Sequence, residues 1–140
     1  AYARGAIFGI TRGTTRAHIV RATLEAMAYQ TVDVLDVMQK ELGVAMKSLR
    51  VDGGASANNI LLGLQADFLN VPVLRAHCLE TTALGAALLA GLAVDCFSSA
   101  EELRKLIKTG KSVEPQMSNE ERNAAINGWH EAIRRTRGSF

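Results

Sequence analysis

Val51-Asp52-Gly53-Gly54-Ala55-Ser56-Ala57-Asn58-Asn59 is the stretch whose residue types and spacing point to chemistry. Adjacent glycines remove Cβ atoms and let a ligand approach the backbone. A helix that starts just after them presents N–H groups without intrahelical partners and the positive end of its dipole. Asn58 falls at that start, where its amide can hydrogen-bond a base, a ribose or a phosphate. A nucleotide-binding turn fits this pattern. So does a plain tight turn in which Asn58 is only a local cap. The stretch is neither the GxGxxG dinucleotide fingerprint nor a GxxxxGKS/T phosphate loop.

Other candidates carry less. Glu80-Thr81-Thr82-Ala83-Leu84-Gly85-Ala86-Ala87 puts small residues along a helix, which favours close packing. Glu80 could act as an acid, but a carboxylate beside a helix N-terminus is also simply stable there. Asp52, Asp67 and Glu80 are the carboxylates nearest these motifs. His18, His77 and His130 are scattered, with no partner at metal-ligand spacing, and structural or surface roles are expected for them. Cys78 and Cys96 lack ligand spacing too and read as free thiols, small and buried rather than nucleophilic.

The elements that must position these residues follow from periodicity and caps. Residues 1–13 read as a loop, with a short extended piece at 6–10. Thr14 or Thr15 caps a long helix that closes at Gly43. Val20, Leu24, Ala28, Thr31, Leu35, Met38 and Leu42 recur at helical spacing, and Ile19, Ala22, Ala26 and Tyr29 add a second apolar strip. The first half of this helix is therefore expected to be buried on more than one side. A strand over Ser48–Asp52 leads into the Gly-Gly turn and a helix over Ala57–Leu69 with a core stripe of Ile60, Leu64 and Phe68. A second strand is expected at Val71–Leu74. A third helix, Ala83–Ala90, is capped by Thr81 or Thr82 and ends at Gly91. Ser98 and Ser99, each with a Glu three residues on, predict a fourth helix ending near Gly110. Ser118 and Glu121 repeat the pattern for a last helix, with Ala125, Trp129, Ala132 and Ile133 facing inward. Helices alternating with strands argue an α/β fold, and two strands are too few for a self-sufficient sheet. Strands from elsewhere are expected to complete it.

Composition sets the outer bounds. The 140 residues suffice for one domain, and 48% hydrophobic with 21% charged residues is ordinary for a globular chain. A net charge of +2 gives no reason to expect nucleic acid as partner. Arg104, Lys105, Lys108 and Lys111 cluster beside Glu101 and Glu102 and read as a solvated face. The most apolar stretch, Ala83–Val94, is too short for a membrane span, and a cytoplasmic location is expected.

Taken together, these motifs resemble the FGGY carbohydrate kinases. Gly5-Ala6-Ile7-Phe8-Gly9-Ile10, then seven residues, then His18-Ile19-Val20-Arg21-Ala22-Thr23-Leu24-Glu25, is similar to the family's second signature. Val51–Ala55 with Asn58-Asn59 resembles its adenosine-contacting turn, and Glu80–Ala87 with Leu89-Ala90-Gly91 its following helix. The wording of Ala3–Gly9, Arg50–Ala55 and Glu80–Gly85 is closest to the members that act on glycerol. Ala76 stands where the family often has Pro, and Asp95-Cys96 where it often has Gly and an aromatic.

The resemblance implies part of an actin-like, ribonuclease H-like ATPase domain, with helices packed on an incomplete sheet. Residues 1–140 would be a C-terminal nucleotide-binding domain fragment of a two-domain kinase. That kinase would transfer the γ-phosphoryl group of Mg-ATP to glycerol, giving sn-glycerol 3-phosphate and ADP. Gly54 and Asn58 would contact the nucleotide, with Gly53 and Ala55 shaping the turn. Catalytic, glycerol-binding and phosphate-loop residues would lie upstream of Ala1, so this chain supplies neither catalytic residues nor metal ligands and is expected to be inactive alone. The full-length enzyme is expected to be a homo-oligomer. A kinase of the same family acting on a pentulose or another polyol remains an alternative, as does a non-catalytic actin-like nucleotide-binding module.

Overall fold

Thr15 starts the first helix, α1 (Arg16–Leu42), from an extended backbone. Its N–H donates to His18 Nδ1 at 3.0 Å, while its hydroxyl lies 3.1 Å from the same ring nitrogen. The imidazole thus serves as the far half of a capping box. Gly43 closes the helix in the left-handed region at φ 65°, its N–H donating to Gln39 O at 2.9 Å. The computed structural model describes residues 5–137, with only the backbone at Thr109. Ala1–Arg4, where the loop and the family wording begin, lie outside the described residues. No strand forms over 6–10, which stays a loop.

The sheet has the order β1 (Leu49–Val51), β2 (Val73–Ala76), β3 (Thr109–Val113). β1 and β2 are parallel, with Leu49 opposite Val73 and Val51 opposite Arg75. Parallel neighbours need a crossover, and α2 (Asn59–Leu69) supplies it. β2 starts later than its sequence suggests. Asn70 caps α2 at φ 54°, and Pro72 has no N–H to give a ladder, although its carbonyl accepts from Leu49 N at 2.9 Å. β3 is absent from the sequence reading, which carried the fourth helix to Gly110. That helix, α4 (Ala100–Leu106), stops earlier, and the chain turns to run antiparallel to β2, with Val73 opposite Val113 and Ala76 opposite Thr109. Thr-Gly-Lys-Ser-Val has little strand character of its own; the pairing edge of β2 decides. Ala76, unlike a proline, keeps its N–H in that strand.

The core lies on both sides of α2. Leu61, Leu64 and Phe68 face α1, joining Ala28 and Val32, while Leu62 and Ala66 face the sheet with Val73. Ile60, expected in the core stripe, is 56% exposed. A four-residue 3₁₀ turn, Gly54–Ala57, delays the start of α2 to Asn59, so Ile60 falls in its first, exposed turn and Leu61 joins Leu64 and Phe68 in the core instead. The first half of α1 also departs from expectation. Val20 is 54% exposed and Ala22 is exposed, because α2 and the last helix, α5 (Asn119–Arg137), cover α1 only further along, from Leu24 onward.

The remaining helices are α3 (Thr81–Ala93) and α5 (Asn119–Arg137). α3 runs through Gly91 rather than ending there. A Cβ on Gly91 would lie 2.6 Å from the Phe97 ring, so this glycine serves packing. The chain turns after α3 at Asp95, φ 59°, a left-handed position that explains why glycine suits it and that Asp tolerates. Cys96, expected to be buried, is exposed; Cys78 is half-buried. Ser118 and Glu121 form the expected box, with Ser118 N–H donating to Glu121 Oε2 at 3.1 Å and Glu121 N–H to Ser118 Oγ at 3.2 Å. α5 docks through an aromatic stack, with Phe68–Tyr29 centroids 4.2 Å apart and Tyr29–Trp129 centroids 5.3 Å apart. Trp129 Nε1 donates to Asp33 Oδ2 at 2.7 Å. Burial pushes the Tyr29 phenol above its ordinary range, with Glu25 adding to the effect.

Candidate nucleotide site

β1 delivers the chain to Asp52, and a sharp turn follows. Gly53 sits at φ 76°, ψ 172°, a conformation that disfavours any Cβ. Its N–H donates to Leu79 O at 2.9 Å, and Thr81 Oγ1 donates to the Asp52 carboxylate. Two sequence motifs some thirty residues apart are thereby tied together, the turn and the start of α3. Ser56, 3% exposed, closes the turn from within: its Oγ donates to Gly53 O at 2.7 Å and its N–H to the same carbonyl at 3.1 Å.

Asn58 lies between the 3₁₀ turn and α2, in an extended conformation. Its Oδ1 accepts from Ile60 N at 3.0 Å and Leu61 N at 3.2 Å, so it caps α2. Capping occupies the oxygen and leaves the amide nitrogen, a donor, for another partner. Arg75 reaches across from β2, its Nη1 donating to Ser56 O at 3.2 Å and to Asn59 Oδ1 at 3.1 Å.

Gly54 differs in kind from Gly53. Its φ lies outside the left-handed region, and a Cβ built on it meets nothing within 4 Å. Neither backbone strain nor the protein's own packing requires a glycine there. The missing side chain keeps open the outer face of the turn, where Gly54 and Ala55 stand at the N-terminus of the 3₁₀ segment and are both exposed. That face suits a flat or anionic group set against backbone N–H donors.

Gly53, Gly54, Ala55 and Asn58 are thus gathered on one turn. Arg75, Leu79 and Thr81, which hold that turn, were missed as partners. The lone cation in Val73-Leu74-Arg75-Ala76 was the available signal. Of the three carboxylates nearest the motifs, Asp52 is engaged at the turn by Thr81, while Asp67 and Glu80 stand apart from it. Asp67 Oδ1 accepts from Gln116 N at 2.6 Å and Met117 N at 3.1 Å, and Glu80 is exposed at the start of α3. His130 Nε2 lies 3.3 Å from Asp33 on the far side of α1. Among the described residues no group of three or more His, Cys, Asp or Glu is placed to hold a metal, and no helix is long and apolar enough to cross a membrane. Two open depressions lie away from the turn. One, of about 420 Å³, is framed by the loop from Ile7 to Thr14 and by His18, Ile19 and Ala22; the other lies along α5 at His130 and Arg134.

Comparison with known proteins adds four findings. The profile of the FGGY family of carbohydrate kinases, C-terminal domain, matches residues 1–94. A glycerol kinase of Saccharolobus islandicus is 56% identical over 137 residues, which is 98% of this chain and 27% of that protein. The crystal structure of Plasmodium falciparum glycerol kinase with ADP superposes with a TM-score of 0.85 at 34% identity, over 96% of this chain and 27% of that one. Xylulose kinase from Rhodospirillum rubrum shares the fold, with a TM-score of 0.75 at 24% identity over 94% of this chain and 27% of its own. The chain therefore spans about a quarter of the length of the relatives it matches. Its architecture is α/β, part of the actin-like, ribonuclease H-like class.

Proposed function

Because this chain belongs to the FGGY family of carbohydrate kinases, we propose that it is the ATP-binding portion of a glycerol kinase. The observation that carries this reading is an identity above one half, sustained over nearly the whole chain, to relatives named glycerol kinase. The open face at Gly54, which no internal packing explains, supports placing the nucleotide there. So does the ADP named with the Plasmodium falciparum enzyme.

In this reading residues 1–140 are a C-terminal nucleotide-binding domain fragment, extending past the stretch that the family profile matches. The parent enzyme transfers the γ-phosphoryl group of ATP to a terminal hydroxyl of glycerol, releasing ADP and sn-glycerol 3-phosphate. The chain's own contribution is positioning. Gly53 and Ala55 shape the turn, Gly54 lets the nucleotide approach the backbone, and the Asn58 amide donates to it. Phosphoryl transfer also needs groups on the β- and γ-phosphates and a residue orienting the attacking hydroxyl. We assign those to the rest of the enzyme, along with the glycerol site. Mg²⁺ would enter held by the nucleotide's phosphates. The enzyme would work in the cytoplasm, on its ATP pool.

The test is coupled detection of ADP release by the full-length enzyme with ATP, Mg²⁺ and glycerol. Glycerol-dependent release is expected, with none from residues 1–140 alone; phosphorylation of a pentulose in preference to glycerol would overturn the substrate. Gly54→Val should raise KM for ATP about tenfold or more, since two methyl groups enter the space left for the ligand. KM for glycerol should hold, and the turn itself should keep its fold, because a Cβ at Gly54 meets no atom of this chain within 4 Å. A folded variant with unchanged KM for ATP would remove the nucleotide from this turn.

A further inference from the structure

We propose that Arg75 is a positioning residue for nucleotide binding, holding from β2 the junction that carries Asn58. The proposal rests on the assignment of the turn to ATP made above. A single nitrogen, Nη1, donates to Ser56 O at 3.2 Å and to Asn59 Oδ1 at 3.1 Å. These acceptors lie on either side of Asn58, one in the 3₁₀ turn and one at the first residue of α2. Between them the backbone leaves the 3₁₀ conformation and becomes extended at Asn58, φ −80°, ψ 105°, before the α-helix begins. Neutral bonds cross this junction, Asn58 N–H to Ala55 O at 3.1 Å and Leu62 N–H to Asn58 O at 3.1 Å, and the charged donor that spans it adds the stronger tie that fixes where the capping Asn58 amide sits.

Arg75 is well placed for this task. β2 is the middle strand, and Val51, the residue before Asp52, is its direct partner on β1. On the other side β3 approaches so closely that a Cβ on Gly110 would lie 2.8 Å from Arg75 O. The arginine is thus paired with β1 and, on the β3 side, sits at the irregularity of the ladder between Leu74 and Ala76, with Gly110 packed against its carbonyl; its side chain carries that reference to the turn. Among the described residues no carboxylate forms an ion pair with Arg75, so the carbonyl and the amide oxygen are the partners its guanidinium serves.

Arg122 supplies the control. Its Nε also donates to a backbone carbonyl of α2, Phe68 O at 2.7 Å, but at the opposite end of that helix. A purely structural clamp at Arg75 would behave as this one does. In the full-length enzyme Arg75→Met should raise KM for ATP about tenfold, the loss expected for charged hydrogen bonds, with kcat at saturating ATP and KM for glycerol little changed. Arg122→Met should lower the melting temperature at least as much as Arg75→Met does and leave KM for ATP alone. Arg75→Lys should fall between parent and Arg75→Met, because both acceptors are served from one nitrogen; it also gives a reading if the Met variant fails to fold. Gly54→Val is measured alongside. If Gly54→Val raises KM for ATP while Arg75→Met and Arg75→Lys leave it within twofold of the parent, the positioning role is wrong and the turn keeps its nucleotide. Should none of the three move it, the nucleotide lies elsewhere and both assignments fall. An equal rise in KM for Arg122→Met would reduce Arg75 to a general stabilising contact.

Discussion

The two ends of α2 are built in opposite ways. At its C-terminal end the helix is locked into the molecule. Phe68 is fully buried and stacks on Tyr29, which stacks on Trp129, while Arg122 and Asp67 stitch the same end to the start of α5. At its N-terminal end Asn58, Asn59 and Ile60 are exposed, and the turn before them is held by a few polar bonds while its outer face stays open. One helix thus divides its work. Apolar burial at one end supplies stability, and the other end can present backbone donors without having to cover them.

The largest effect should come from the locked end. Phe68→Ala removes the middle of the core that α1 and α2 share and should cost about 3–5 kcal/mol of stability, read as a lower melting temperature or denaturation midpoint. Any folded protein should keep its KM for ATP. A loss below about 1 kcal/mol would mean that the stack is not what secures this end.

A smaller effect at the open end sharpens the contrast, because Asn58 has two jobs on different atoms. Asn58→Ala loses the cap and should cost about 1 kcal/mol of stability, with weaker ATP binding besides. Asn58→Asp keeps an acceptor oxygen for Ile60 and Leu61 while losing the amide donor. It should therefore hold its melting temperature and still bind ATP less well. Normal ATP affinity in both variants would leave Asn58 as a cap only.

The smallest effect lies on the solvent side of α5. Arg134 and Arg135 donate to Glu131 and hold its carboxyl down to about 2, from an ordinary value of 4.5. A carboxyl depressed in the folded state stabilises above its unfolded value and loses that contribution as pH falls towards the folded one. Glu131→Gln should accordingly lower the melting temperature slightly at neutral pH, with the difference closing between about pH 4.5 and 2. A gap that persisted at pH 2 would trace to packing instead of charge. The group is solvent-exposed, so salt should also shrink the effect.

Much of this was legible in local chemistry. Thr15, Ser99 and Ser118 cap the helices expected of them, and Gly43 ends α1 in the left-handed region. The Gly-Gly turn does sit between a strand and a helix, with Asn58 at the helix start. All of these depend on atoms within about four residues of one another, so composition and spacing carry the information. The misreadings have the opposite character. Gly91 and Gly110 looked like helix ends. One makes room for the Phe97 ring and the other for the Arg75 carbonyl, 35 residues away along the chain.

By itself, then, the sequence determined where α1, α4 and α5 begin, where the backbone must turn, which residues line the turn, and which family the chain resembles. Each of these is set by bonds closed between near neighbours or by a run of residue types. The helix α3, expected from Ala83 behind Thr81 or Thr82, begins instead at Thr81 with Glu80 at its cap position. Tertiary structure decided that 109–113 would be a strand, because the exposed edge of β2 outweighs the weak preference of Thr-Gly-Lys-Ser-Val. It decided which stretch of α1 is covered, since α2 and α5 reach only part of it. It also separated Gly53, required by its own φ, from Gly54, which is explained by no protein atom. Two identical letters side by side differ in backbone conformation, since a Cβ at either meets nothing within 4 Å, and the left-handed one is tied by its N–H to Leu79, far along the chain.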